Sequence, residues 1–333
     1  MIAMGTMHST SPIARRAVLL GLSALSGCVA QSAPPGPSIM TPTQLADAFE
    51  MPDGARLPYR VWRPSGETRA VLLALHGFND NRDQWELPAP VWAQQGIAVY
   101  APDQRGFGGA PGRGLWAGGD AMARDAATMA SLLRRRHPGS RLVVVGESMG
   151  GAVAMLAAER FAADADGYVL SSPAVWGRAQ MNFAYQAALW LASTFVPGLS
   201  VGRAPIAIRA SDNDAALLAL GRDPLTILQT RFDTLRGLVD LMDAALAAGP
   251  AWRAPGLFLY GAHDQIVPQE ATRTLWRSLP AGTPCAFYPD GWHLLTRDLH
   301  REIVVGDIAA YTLSAALPKP AMRAAAQWLA SEG

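Results

Sequence analysis

A serine framed by glycines is the first residue in this chain that could do chemistry. Gly146-Glu147-Ser148-Met149-Gly150 has the spacing G-x-S-x-G. The apolar run 142–145 leads into it, and a helical stretch rich in small residues, 149–161, leads out. Such a strand–turn–helix strains the serine backbone and holds its hydroxyl out towards a substrate. Gly146 and Gly150 suit the turn, because side chains there would collide across it. A serine hydroxyl is too weakly acidic to attack a carbonyl unaided. A histidine must take its proton, and a carboxylate must fix the histidine tautomer. The expected order along the chain is serine, acid, histidine.

His293 is the predicted base. It lies in Pro289-Asp-Gly-Trp-His293, just after the last apolar run, on a loop. Among the other histidines, His8 is near the N-terminus, His137 ends an Arg-rich helix that it can cap, and His300 reads as solvent-facing. Asp264, in Gly261-Ala-His-Asp264 after the run 257–260, is the predicted acid. Asp290 reads as a turn former, and Asp243, beside Asp240, as part of a solvated helix face. Attack on the carbonyl creates an oxyanion that needs two backbone donors. The N–H of Met149, directly after the serine, is one. The N–H of Phe78 in His76-Gly77-Phe78 is the other, with Gly77 letting the backbone turn. His76 reads as a brace for that loop rather than as a second base.

These residues all follow short apolar runs. Tyr59–Trp62, Val71–Leu75, Ile97–Tyr100, Leu142–Val145, Tyr168–Leu170, Leu257–Tyr260 and Ala286–Tyr288 read as strands. Runs without alternation suit strands buried on both faces, hence a mostly parallel sheet. Segments 119–136, 149–161 and 269–278 read as helices, so the class is α/β with helices flanking a central sheet. Ligands of such sheets bind at the carboxyl ends of the strands, where the polar residues above stand. Residues 174–235 break the rhythm: they are rich in Trp, Phe, Leu and Ala, with no clear strand. They read as a helical cap inserted between a first core part, 43–173, and a second, 236–333, which ends in a C-terminal helix.

Composition removes other classes. Of 333 residues, 50% are hydrophobic and 17% charged, with a formal net charge of +1. That supports a large core and gives no basic excess for nucleic-acid binding. Lys319 is the only lysine, in a Pro-flanked stretch, and no Gly-Lys-Ser/Thr occurs. P-loop and Schiff-base chemistries are therefore set aside. Two cysteines, Cys28 and Cys285, cannot form a metal cluster. The proposed chemistry needs no metal or cofactor. At the N-terminus, Arg15-Arg16 precede the apolar run 17–26, which is too short to span a bilayer comfortably and reads as a secretory signal. Residues 1–27 would be that signal, and 28–42, rich in Pro, Ser and Gly, a tether.

Two family resemblances follow. Leu25-Ser-Gly-Cys28 resembles the lipobox of bacterial lipoproteins. It implies an acylated Cys28, unavailable to Cys285, on a membrane-anchored lipoprotein of the bacterial cell envelope. The body resembles the α/β-hydrolase superfamily, most closely its monoacylglycerol lipase and lysophospholipase branch. The residues carrying this are His76-Gly-Phe78, Ala101-Pro-Asp-Gln-Arg-Gly106, Gly146-Glu-Ser-Met-Gly-Gly151, Ser172-Pro-Ala174, Gly261-Ala-His-Asp264 and Gly291-Trp-His293. The resemblance implies the α/β-hydrolase fold, a Ser148–His293–Asp264 triad and a cap over an acyl pocket. It implies a lipid ester as substrate, with a short-chain carboxylesterase or thioesterase, or a non-catalytic membrane-tethered binding protein, as alternatives. Glu147 departs from the histidine common before the serine and weakens the choice of substrate. Asp103 and Arg105 read as an ion pair within their loop.

Overall fold

The chain enters its sheet through a short meander, β1 (Thr43–Gln44), β2 (Ala48–Glu50) and β3 (Arg56–Trp62). The computed structural model describes residues 29–202 and 208–331. The apolar runs then follow as β4 (Ala70–Leu75), β5 (Ile97–Pro102), β6 (Arg141–Glu147) and β7 (Gly167–Ser171). A ribbon of β8 (Ser200–Gly202) and β9 (Gln229–Arg231) intervenes before β10 (Gly256–Gly261) and β11 (Cys285–Tyr288). The order in the main sheet is β1-β2-β3-β5-β4-β6-β7-β10-β11. β5, β4, β6, β7, β10 and β11 run parallel, and β1 to β3 pair antiparallel at one edge.

Nine helices with described residues accompany the sheet: α1 (Pro88–Gln94), α2 (Gly119–Arg136), α3 (Met149–Phe161), α4 (Phe183–Phe195), α5 (Asp214–Arg222), α6 (Phe232–Ala248), α7 (Gln269–Ser278), α8 (Arg301–Ser314) and α9 (Lys319–Ala330). β4 shows why the central strands lack polar residues. Its Val71, Leu73 and Leu75 pack into a core with Met129, Val153 and Met155, from α2 and α3. Ala70, Leu72 and Ala74 point the other way, into a core with Trp92 of α1 and Ile308 of α8. Each fully buried Leu or Val contributes about 1.5–3 kcal/mol, so a polar side chain on either face would be costly. Polar chemistry is therefore displaced to the strand ends.

Outside the active site, the structure differs from the sequence-based expectations in four places. β1 and β2 precede the first expected strand. The insert carries the β8–β9 ribbon besides α4 and α5, and these two strands are too short to show in an apolar pattern. Residues 29–42, expected as a tether, lie along the body: Gln31 N–H donates to Asp233, Ala33 N–H to the Trp116 carbonyl and Ile39 N–H to the Pro52 carbonyl. Asp103 and Arg105 do not pair with each other. Asp103 binds Arg82, while buried Arg105 sits between Asp53 (2.7 Å) and Asp125 (2.9 Å). Neighbouring side chains in this loop point to different elements, so each found its partner across the fold. The expected signal and Cys28 lie outside the described residues. Cys285 is a free thiol, half-buried, with its pKa pushed up to about 12 by burial.

Candidate active site

The turn between β6 and α3 places Ser148 at φ 54° and ψ −117°. A non-glycine residue in such a conformation stores about 1–3 kcal/mol of strain, and its neighbours must hold it there. They do so by close packing. A Cβ on Gly146 would lie 2.3 Å from the Gly150 carbonyl oxygen, and one on Gly150 would lie 2.1 Å from that of Leu75. Only hydrogen fits at either position, and the Gly150 contact ties the turn to the end of β4. The Ser148 carbonyl accepts from Ala152 and Ala174, and its N–H donates to Ser171.

Asp264 follows β10 and His293 follows β11, 29 residues apart in sequence. Their loops meet closely, since a Cβ on Gly261 would fall 2.5 Å from the Gly291 backbone. That approach brings His293 Nδ1 to 2.8 Å from Asp264 Oδ2. The other carboxylate oxygen accepts from the N–H groups of Ile266 and Val267, at 2.8 and 2.9 Å. Asp264 is thus locked in orientation, and Nδ1 of the imidazole carries the proton. Burial opposes a positive charge on His293. The Asp264 carboxylate and its hydrogen bond, with Glu147 and Asp298, outweigh that and raise its pKa. Nε2 is left to act as a base. Ser148 and His293 line one cavity.

Gly77 and Phe78 line the same cavity. Among the described residues, the N–H groups of Phe78 and Met149 donate to no other group. Two free amides beside the serine can hold an oxyanion. The left-handed residue of the Phe78 loop is Asn79, at φ 63°, so the turn expected at Gly77 falls two residues later. Gly77 instead donates its N–H to Gln84 Oε1 at 2.7 Å. His76 is wholly buried. Its Nδ1 donates to the Gly77 carbonyl, and its Nε2 accepts from the Gln104 N–H at 3.0 Å. Burial lowers its pKa, so it braces the loop as a neutral ring.

Of the rival groups, Asp290 is exposed and His300 caps the start of α8, away from the cavity lining. His137 caps α2 and meets the Tyr100 hydroxyl at 3.0 Å. Asp243 was expected to face solvent. It is partly exposed there, as is Asp240, and both carboxylates pair with Arg178.

Several polar groups behind the site escaped the sequence reading. Gln84 bridges Gly77 and Glu147. Arg297 donates to the Gln84 carbonyl and pairs with Asp80 at 2.9 Å. Asp298 accepts from the Trp292 N–H and from Ser211. Asp80 and Arg297 stand 217 residues apart, and no local pattern announces such a pair.

The cavity measures about 380 Å³. Trp176, Ile227, Leu228, Leu235, Leu238 and Met242 give it apolar walls, and Ser148 and His293 are among its polar groups. Among the described residues no group of His, Cys, Asp and Glu is arranged to hold a metal.

A parallel sheet with a strained serine turn and an Asp–His pair at its carboxyl edge defines an α/β-hydrolase. Residues 66–300 match the serine aminopeptidase, S33 family (Hydrolase_4), and the chain belongs to that family. It is 24% identical over 289 residues to the monoacylglycerol lipase of Mycolicibacterium smegmatis, which covers 83% of this chain and 99% of the relative. A soluble variant of monoglyceride lipase from Saccharomyces cerevisiae, solved in complex with a substrate analog, superposes with a TM-score of 0.67. It has 21% identity and covers 84% of this chain and 98% of its own. A thermostable carboxyl esterase from Bacillus coagulans superposes at 0.61, with 18% identity, covering 82% and 98%.

Proposed function

We propose that this protein is a serine hydrolase that cleaves the carboxylic ester of a monoacylglycerol or lysophospholipid through an acyl-enzyme. Ser148 Oγ attacks the ester carbonyl while His293 Nε2 takes its proton. The oxyanion rests on the Phe78 and Met149 N–H groups. The tetrahedral intermediate collapses, the ester C–O bond breaks, and His293 returns the proton to the leaving alcohol. Water then attacks the acyl-enzyme with His293 again as base, releasing the fatty acid and restoring Ser148. Asp264 holds the imidazole in the required tautomer throughout.

One observation carries the lipid reading: the cavity running from Ser148 is walled by apolar side chains. Each methylene buried there is worth about 0.8 kcal/mol, which favours long acyl chains. Its similarity to monoacylglycerol lipases supports the same substrate class. Residues 174–235 act as the cap. The insert also suits a lipid surface: no residue between Arg178 and Arg203 is charged, and Phe183, Trp190 and Phe195 of α4 are exposed. The enzyme would sit in the bacterial cell envelope on an acylated Cys28, a reading supported by the Leu-Ser-Gly-Cys ending.

The test is labelling by a fluorophosphonate with hydrolysis of graded p-nitrophenyl esters, monoacylglycerol and lysophosphatidylcholine. Ser148→Ala abolishes labelling, with turnover falling by on the order of 10⁴–10⁶. Labelling that survives Ser148→Ala overturns the mechanism. Activity that collapses beyond short acyl chains overturns the lipid substrate in favour of the short-chain esterase. A Cys28→Ser chain that still fractionates as a processed membrane protein overturns the anchor.

A further inference from the structure

Glu147 stands directly before the proposed nucleophile, yet no step of the mechanism uses it. Its side chain is fully buried at the end of β6, where an ionisable group needs a reason. Its contacts supply one. Glu147 Oε1 accepts from Gln84 Nε2 at 2.8 Å, and Gln84 Oε1 accepts from the Gly77 N–H at 2.7 Å. Both ends of the Gln84 amide are thereby engaged, and the chain of bonds stops one residue short of the Phe78 amide. The other carboxyl oxygen faces the Thr296 hydroxyl at 3.4 Å, three residues beyond His293. Arg297 joins the two sides a second time, through the Gln84 carbonyl and Asp80.

We propose that Glu147 is a positioning residue: through Gln84 it sets the place of the Phe78 amide, and through Thr296 it ties down the loop that carries His293. The proposal rests on the Ser148–His293 mechanism above. The oxyanion loop, the serine turn and the histidine loop come from strands that are not all neighbours, and apolar packing cannot hold them on the side that opens to substrate. A carboxyl behind the serine reaches both outer loops at once. The groups facing it are His293, Arg297, Asp80 and Asp298. The two acids oppose its ionisation, and the histidine and arginine favour it. An ionised Glu147 in turn favours the protonated imidazole.

Glutamine at this position can still accept from Gln84 but carries no charge, whereas alanine removes both. With p-nitrophenyl butyrate, Glu147→Ala and Gln84→Leu each lower kcat about tenfold with KM within about twofold. That is a fraction of the 10²–10³ lost when an oxyanion donor is removed outright. The double variant falls no further than Glu147→Ala alone, because that variant already breaks the chain of bonds through Gln84. Glu147→Gln recovers most of the loss, because the amide still accepts from Gln84 and a merely space-filling role would not distinguish it from alanine. Far-UV circular dichroism checks the fold. If Glu147→Ala does not fold, the kcat and KM of Gln84→Leu and Glu147→Gln decide. Wild-type kcat in Gln84→Leu, additive losses in the double variant, or a Glu147→Gln enzyme as slow as Glu147→Ala would each overturn the proposal. A wild-type enzyme that neither labels nor hydrolyses esters would overturn the mechanism it rests on. An active wild type with indifferent variants overturns only the role of Glu147.

Discussion

Burying a carboxyl behind the serine carries a cost in stability that depends on pH. The ordinary glutamate pKa is 4.5, and burial raises that of Glu147 to about 7. Below pH 4.5 the group is protonated in both folded and unfolded chains, and burial carries no ionic penalty. Between 4.5 and 7 the unfolded chain has released the proton while the folded one keeps it. Stability therefore falls as pH rises through this window and levels off above 7. A pKa raised from 4.5 to about 7 corresponds to about 3 kcal/mol, most of which accrues between pH 5 and pH 8. Glu147→Gln removes the titration and keeps the volume and the acceptor for Gln84. Urea unfolding of wild type and Glu147→Gln, followed by tryptophan fluorescence at intervals from pH 5 to pH 8, should give a stability difference that grows in favour of the variant by about that amount. Other groups titrate alike in both proteins and cancel, apart from the coupling to His293. A difference that stays flat with pH would mean that Glu147 ionises normally in the folded chain. A difference that shrinks towards pH 8 would mean that its carboxylate is stabilised by Arg297 and His293 rather than opposed by burial. Either result refutes the reasoning.

Three further outcomes follow from single contacts. Asp264→Asn presents an amide to Nδ1, admits the wrong imidazole tautomer and lowers kcat by about 10⁴ with little change in KM, measured with a soluble ester; a loss below tenfold would deny Asp264 its role. Gly150→Ala drives a Cβ into the Leu75 carbonyl, so the variant should lose fluorophosphonate labelling together with folding stability, read by circular dichroism and labelling; a stable, fully labelled variant would refute that packing. Arg105→Met leaves Asp53 and Asp125 buried without their shared cation and costs about 3–5 kcal/mol in urea unfolding at pH 7, with the loss smaller at acid pH where the carboxylates can protonate.

What was legible in the sequence is what local pattern encodes. Helices at 119–136, 149–161 and 269–278 have the expected bounds, because each begins and ends at a local change of composition. Strand ends were readable because a buried strand tolerates no polar residue until it leaves the sheet. Ser148, Asp264 and His293 stand at three such ends, and the Asp264–His293 bond follows from the fold. The partners of Asp103 and Arg105 were not readable, since a charged side chain in a loop can choose among all the elements that fold around it. Gln84 carried no signal at all: an amide in a short turn looks solvated until the end of β6 packs beside it. The strap at 29–42 misled through composition, because Pro and Ser disfavour regular structure without preventing an extended segment from bonding to the body.

The arrangement around the cavity has a common logic. Ser148, His293 and Phe78 line a cavity with mostly apolar walls, so little can brace them from that side. The supports lie behind. Ile266 and Val267 hold Asp264, Asp298 holds the His293 loop through Trp292, and Gln104 and Gln84 hold the loop of Phe78. Buried polar bonds of this kind add only about 1 kcal/mol each to stability, but leaving a partner unsatisfied costs about 1–3 kcal/mol. That asymmetry suits a support, because small displacements of a loop are opposed more strongly than the bond itself contributes. It also explains how Ser148 keeps its strained backbone: the turn cannot relax without breaking bonds on both sides. Preorganised donors and a fixed base lower the barrier because they need not reorganise as charge develops. The polar layer beneath the site is therefore what ties its loops together.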